Sequence, residues 1–203
     1  MKITSFVFSL FVLMLLLLPS NAFACACCAD DGYYSISTKK PESLELGELK
    51  KIRFGTADLF TSAGEDNILG ISPIGGNYSL SGLLQSTIWK MNFKDDTGKT
   101  GTLSLTMPPS MVAFAADIHD GRQGGAGGPL LYKEWRFKSK VQSGTGVFQK
   151  GIAPGTEYFL VLQGRGNVCT QAEDFTNWRL EITGKKADYA FFGELNSGKT
   201  AAN

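Results

Sequence analysis

The sequence is poor in histidine, in net charge and in long apolar runs. Its only histidine is His119, so mechanisms that need two histidines are excluded. The formal net charge is +1 and no basic cluster is present, whereas nucleic acid is held by Lys and Arg against its phosphates. After residue 18 no stretch reaches the roughly 20 apolar residues of a transmembrane helix. These shortages argue against a nucleic-acid-binding protein and against a helical membrane protein.

The N-terminus has the pattern of a secretory signal peptide. Basic Lys2 is followed by an apolar run over residues 6–18 and by the small residues Ala22 and Ala24. We predict a signal peptide over residues 1–24, cleaved after Ala24, and hence a periplasmic, envelope-bound or secreted protein without a transmembrane span. Because the leader removes only one basic residue, the mature chain has 19 basic and 19 acidic side chains.

Three of the four cysteines cluster directly after the predicted cleavage site, as Cys25, Cys27 and Cys28, and the fourth is Cys169. Export exposes thiols to oxidising conditions, so we predict a disulfide between Cys169 and Cys27 or Cys28. Closing a loop of this length would add on the order of 4 kcal/mol of stability. The alternative is a copper or zinc site, or a redox centre, formed by all four sulfurs.

Cys25 would be the first residue of the mature chain, the position at which bacterial lipoproteins carry a lipid anchor. Of the residues before it, only Ala24 fits the usual lipoprotein pattern, since Ala22 and Phe23 stand where Leu and a small residue are typical. A lipid anchor at Cys25 is therefore the less favoured alternative to a free N-terminus.

Alternation of apolar and polar residues predicts a fold made mainly of strands. Trp89, Trp135 and Trp178 each stand in register with other apolar residues of their own segment, so we expect all three in the core. The segment from Thr156 to Gly184 predicts two neighbouring strands joined at Cys169. We predict an all-β, antiparallel β-sandwich, with a jelly roll as one version, over residues 25–193, followed by a polar tail over residues 194–203.

The segment from Leu44 to Phe54 gives conflicting signals. Leu46, Leu49 and Ile52 suit one face of a helix, but Gly47 interrupts it, and Ile52 with Phe54 also suits a strand. We predict strand in the second half of the segment only.

A weak candidate site surrounds the single histidine. Asp117 and His119 would share one face of a strand, Asp120 is adjacent, and a loop with five glycines follows over residues 121–128. These groups suit a weak metal site or acid–base chemistry, and the alternative is an ordinary solvated loop. We expect the glycine loop to be the most mobile internal segment because glycines without apolar anchors lose much entropy on ordering.

Together, the residues predict an exported protein that is not an enzyme and binds a ligand or an envelope partner through its loops. The N-terminus would be linked to Cys169, and no cofactor is expected. The alternatives are a thiol-based copper, zinc or redox protein and an enzyme built around His119.

Overall fold

The computed structural model describes residues 28–60, 68–75, 77–124, 128–169 and 171–196. The predicted signal peptide, Cys25 and Cys27 therefore lie outside the described residues. The same holds for the middle of the glycine loop and for residues 197–203 of the predicted tail, so the mobility expected of that loop stays a prediction.

The described residues form ten strands, one α-helix and a single turn of 3-10 helix. The strands are β1 (Tyr34–Lys39), β2 (Thr56–Leu59), β3 (Asn77–Gln85), β4 (Ile88–Asp95), β5 (Thr100–Thr106), β6 (Met111–Ala116), β7 (Leu131–Gly146), β8 (Glu157–Gly166), β9 (Phe175–Gly184) and β10 (Ala187–Glu194). The helix α1 spans Ser43–Leu49, and the 3-10 turn spans Ala172–Asp174.

Eight of these strands close into an antiparallel β-barrel. Around the ring they follow the order β7, β5, β4, β3, β2, β10, β9 and β8, and β8 pairs with β7 to complete the circle. β6 adds to β7 outside the ring, and β1 adds to β6. The prediction of an all-β, antiparallel protein is confirmed, but the predicted β-sandwich is wrong.

The long strand β7 pairs with three other strands. This strand has 16 residues. One of its edges pairs with β6 over residues 132–136 and with β5 over residues 141–146, while the other edge pairs with β8 over residues 131–140. Without the pairing of residues 141–146 with β5, the strands would form one open sheet that runs from β7 through β8 to β5, so this pairing closes the ring.

Aromatic side chains fill the interior of the barrel. Trp89, Trp135 and Trp178 are 0%, 3% and 1% exposed, so their predicted place in the core is confirmed. Phe54 packs edge-on against Trp178 with ring centroids 5.2 Å apart. Other side chains that are fully buried there include Phe93, Phe137, Phe148, Tyr158, Phe175 and Phe191. The barrel is thus a packed core, as expected for eight strands.

Helix α1 covers the end of the barrel at which β8 leads into β9. A capping box between Glu42 and Glu45 starts the helix, and the carboxylate of Glu48 accepts a hydrogen bond from the backbone N–H of Ala172 at 2.8 Å. The expectation of strand over residues 50–54 is wrong, because Phe54 makes only one isolated bridge and the strand begins at Thr56. The helical spacing of the leucines outweighed the interruption by glycine.

Candidate functional site

An aromatic surface lies on the outside of the barrel, where β1, β6 and β7 pair. The register aligns Tyr34 with Ala116 and Tyr132, and Ile36 with Phe114 and Glu134. Trp135 and Phe137 of β7 are buried in the core, so by alternation Tyr132, Glu134 and Arg136 point outward. We call this surface the aromatic face and define it as Tyr34, Ile36, Phe114, Tyr132, Glu134 and Arg136.

The rings of the aromatic face interlock. The centroid of Phe114 lies 5.7 Å from that of Tyr34 and 6.2 Å from that of Tyr132, both in edge-to-face geometry. The guanidinium of Arg136 lies over the Phe114 ring at 5.2 Å from its centroid. Contacts of this kind hold the side chains in fixed positions, because each ring limits the rotation of the next.

Polar groups on the aromatic face are paired with one another. The Tyr132 hydroxyl donates a hydrogen bond to one carboxylate oxygen of Glu134, and the Nε–H of Arg136 donates to the other at 2.5 Å. Burial raises the pKa of Tyr132 well above its usual range, and its hydrogen bond to the Glu134 carboxylate adds to this increase. The face therefore presents apolar rings beside neutralised charges.

Composition distinguishes this face from the outer surface of β3, β4 and β5. Tyr34 is 66% exposed and Ile36 54% exposed. The outward residues of β3, β4 and β5 are instead mostly small and polar or charged: Ser79, Ser81, Asn92, Lys94, Thr100 and Thr102. Because most of the outer surface near these strands is polar, the aromatic face is a local feature that core packing does not explain.

A surface groove of about 610 Å³ lies next to the aromatic face, along β9, β10 and β2. Gln163 and Asn177 line the side nearer to β7, and Phe192, which is 46% exposed, lies farther along with Asp58 and Glu194. Gln163 is in register with Glu134, so the groove and the aromatic face form one continuous surface.

Asp117 and His119 of the weak candidate site line a smaller cavity of about 270 Å³, whereas Asp120 does not line it. One carboxylate oxygen of Asp117 accepts the N–H of Gly32 at 2.9 Å, and the other accepts the N–H of His119 at 2.8 Å. These hydrogen bonds lower the pKa of Asp117. The carboxylate of Asp120 is paired with the guanidinium groups of Arg165 and Arg122. Asp117 thus anchors the segment before β1, and the imidazole of His119 projects into solvent.

Cys169 lies in the turn after β8, and Cys28 is exposed near the start of the described chain. The backbone at Ala29 approaches Gly128 so closely that a Cβ on residue 128 would lie 2.5 Å from the Ala29 carbonyl oxygen. A Cβ on Gly124 would in turn lie 3.9 Å from the Cβ of Asn167. The segment that follows the cysteine cluster therefore runs at the same end of the barrel as the Cys169 turn.

A buried ion pair supports that turn from inside the barrel. The ammonium of Lys133 donates to the carboxylate of Asp174 at 2.7 Å and to the carbonyl oxygen of Cys169 at 2.5 Å. The two side chains are only 6% and 14% exposed. Burial raises the pKa of Asp174, although the nearby ammonium opposes this effect. The pair ties β7 to the segment between β8 and β9.

In the described parts of the chain, no group of three or more His, Cys, Asp and Glu side chains is arranged to hold a metal ion. No helix there is long and apolar enough to cross a membrane.

Comparisons with known proteins gave no match to any family model, to any curated protein or to any solved structure. The fold and the site define the protein by its architecture. The chain forms a closed antiparallel barrel with a packed interior and an aromatic face on an added pair of strands.

The sequence predicts which way some side chains of the aromatic face point, but it does not predict that these residues are neighbours. In the sequence, Arg136 stands between the apolar residues Trp135 and Phe137, which predicts an outward side chain, and residues 111–116 form a mainly apolar segment. These patterns do not show that Tyr34, Phe114 and Tyr132 would be neighbours, because strand order is set by pairing between distant segments. The inward position of Lys133 also follows from alternation, but its partner Asp174 does not.

Proposed function

We propose that this is an exported, non-enzymatic protein that binds a protein partner of the cell envelope through its aromatic face. Its N-terminus would be linked to Cys169 by a disulfide. The observation that carries the proposal is the aromatic face itself, in which Tyr34 and Ile36 are exposed and Phe114 and Tyr132 half-buried, whereas the outward residues of β3, β4 and β5 are mostly polar.

The packed interior favours binding on the outer surface. Ligand-binding barrels of this size hold their ligand within the ring of strands. Here Trp89, Trp178 and Phe137 occupy that space and are no more than 1% exposed. A partner would therefore meet the protein from outside.

The composition of the aromatic face favours a protein as the partner. Tyr and Arg are enriched among the residues that dominate binding energy at protein interfaces. Tyr34, Tyr132 and Arg136 supply these types, and Phe114 gives them a common apolar support. Since Glu134 neutralises Arg136, the face offers apolar area more than charge.

The residues around His119 favour binding over catalysis. Both carboxylate oxygens of Asp117 already accept backbone hydrogen bonds, and Asp120 is neutralised by two arginines. A general base needs a carboxylate or imidazole directed at a substrate.

The predicted disulfide is supported by the course of the chain at Ala29, which brings the N-terminal segment to the end of the barrel that carries Cys169.

Photo-crosslinking in the producing cells tests the proposed site. The photoreactive amino acid p-benzoyl-phenylalanine would replace the aromatic residue at position 114 or 132, with position 92 on the polar face as the matched control. We expect light-dependent adducts with a protein other than this chain from positions 114 and 132, and none from position 92. Equal adducts from all three positions, or none from positions 114 and 132, would overturn the proposal.

A further inference from the structure

Six of the side chains that line the groove along β9, β10 and β2 stand in two rows. Each row crosses three neighbouring strands in register: Asn77, Asp58 and Phe192 form the first row, and Glu194, Asn177 and Gln163 form the second. The first row crosses β3, β2 and β10, and the second crosses β10, β9 and β8. Neighbouring strands lie about 4.8 Å apart, so the five strands give the groove a length of roughly 19 Å. A ligand that contacts both rows is therefore an extended molecule.

The charges of the groove exclude an anionic ligand. No lysine or arginine stands among the described residues that line it, whereas Asp58 and Glu194 supply two carboxylates. Arg179 is in register with Phe192, but its guanidinium pairs with Glu181 at 3.3 Å. Like charges that meet at a binding site are strongly unfavourable. The ligand must therefore be neutral or positively charged.

The amide side chains of the groove favour hydroxyl groups over cations. Asn77, Gln163 and Asn177 each carry an NH2 group that donates hydrogen bonds and an oxygen that accepts them. The Thr176 hydroxyl donates to the amide oxygen of Asn177 at 2.9 Å, so the NH2 group of Asn177 is the part left for a ligand. Such a donor attracts an oxygen atom and repels a cation. Together with the two carboxylates, which accept hydrogen bonds, the amides match a ligand with many hydroxyl groups.

Phe192 adds an apolar surface among these polar groups. Its side chain is 46% exposed, and Asp58 stands opposite it on β2. The face of an aromatic ring is slightly negative and attracts C–H groups, which are slightly positive. The pyranose ring of a sugar has C–H groups on its faces and hydroxyl groups around its edge. A saccharide therefore matches the Phe192 ring and the polar side chains at the same time.

We propose that the groove binds a neutral oligosaccharide with an extended chain. One sugar ring would stack on Phe192 while its neighbours lie along the two rows. Hydroxyl groups of the chain would donate to the carboxylates of Asp58 and Glu194 and accept from the amide of Asn177. The volume of the groove, about 610 Å³, lies within the roughly 300–1,000 Å³ of small-molecule sites. This binding activity goes beyond the protein partner proposed for the aromatic face and does not depend on it.

Saturation-transfer difference NMR of the purified protein with cellotetraose and with N-acetylchitotetraose tests the proposal. Both probes are neutral, extended chains. We expect at least one of them to bind, with the strongest saturation on its ring C–H protons. The matching monosaccharide should bind at least about tenfold more weakly, because a single ring cannot contact both rows. Failure of both tetrasaccharides to bind would overturn the proposal.

Two variants with matched controls place the binding in the groove. Phe192→Ala should raise the dissociation constant of the bound tetrasaccharide about tenfold, whereas Phe60→Ala, which removes a similarly exposed ring outside the groove, should leave it unchanged. Asn177→Ala should also raise it about tenfold. Its control is Asn92→Ala, because Asn92 is also exposed and likewise accepts a hydrogen bond from a threonine hydroxyl. Circular dichroism checks that all four variants keep the fold. Equal affinities of Phe192→Ala and Phe60→Ala would overturn the proposal.

Spermidine serves as the cationic probe of the same groove. Because the amide NH2 groups repel a cation, spermidine should not displace the bound tetrasaccharide. Displacement by spermidine would show that the carboxylates of Asp58 and Glu194 bind a cation there, and it would overturn the assignment to a saccharide.

Discussion

Replacement of Lys133 by methionine should destabilise the barrel strongly, because it leaves the carboxylate of Asp174 buried without its cation. The Lys133 and Asp174 side chains are 6% and 14% exposed, and their charged atoms lie 2.7 Å apart. Removing one partner of a buried ion pair typically costs about 3–5 kcal/mol. Lys133 also donates to the carbonyl of Cys169, so the turn after β8 loses a hydrogen bond as well. We expect the lower part of that range, about 3 kcal/mol, because Asp174 is not completely buried.

The loss should depend on pH in a defined direction. Burial raises the pKa of Asp174 even with Lys133 present, and removal of the ammonium removes the main opposing effect. An acid whose pKa is higher in the folded state than in the unfolded state lowers stability as the pH rises from the unfolded to the folded value. The cost of Lys133→Met should therefore shrink well below about pH 4, where Asp174 is protonated in both states, to the part that comes from the lost hydrogen bond to the Cys169 carbonyl. The full loss should be present near neutral pH.

Urea unfolding followed by tryptophan fluorescence at several pH values measures both effects. The control is Lys138→Met, the same substitution on the same strand, because the Lys138 side chain is 69% exposed and its contact with Glu157 is 3.5 Å long. An exposed pair of this kind contributes less than about 1 kcal/mol. The reasoning fails if Lys133→Met costs no more than the control, or if its cost is the same in acid as at neutral pH.

Four further results are expected. Gly166→Ala should lower the free energy of unfolding by about 2 kcal/mol or more, because the added Cβ would lie 2.1 Å from the carboxylate carbon of Asp174. Gly47→Ala should raise it by about 0.5–1 kcal/mol, because residue 47 is helical and has open space around it, and chemical denaturation of both variants checks this contrast. Non-reducing peptide mapping should link the Cys169 peptide to the N-terminal peptide, and Cys169→Ser should lower the melting temperature by about 10 °C. Metal found bound in stoichiometric amount to the purified protein, with Cys169 as a thiol, would instead support the copper or zinc alternative.

The faces of single strands could be predicted from the sequence because they depend on local alternation. Met91 and Phe93 of β4, and Leu103 and Leu105 of β5, are buried as their spacing indicated. The same holds for Leu180 and Ile182 of β9. Such alternation arises whenever one face of a strand is buried, whichever strands lie beside it.

Closure of the barrel could not be predicted, because a sandwich and a barrel require the same alternation. The decisive features are the pairing of β7 with β8 and the short strand β2, which joins β3 to β10. β2 has only four residues, too few for a periodic signal. The aromatic face depends on the same long-range pairing, since Tyr34 and Phe114 become neighbours only when β1 adds to β6.

Hydroxyl-radical footprinting of the protein in its native compartment tests the proposed binding site most directly. The oxidation of Phe114 and Tyr132 would be compared between the producing cells and the purified protein. Phe60 and Leu83, exposed apolar residues outside the aromatic face, serve as internal controls. We expect Phe114 and Tyr132 to be protected in the cells while the two controls are oxidised equally in both samples. Equal oxidation of all four residues in both samples would contradict the claim that a partner covers the aromatic face.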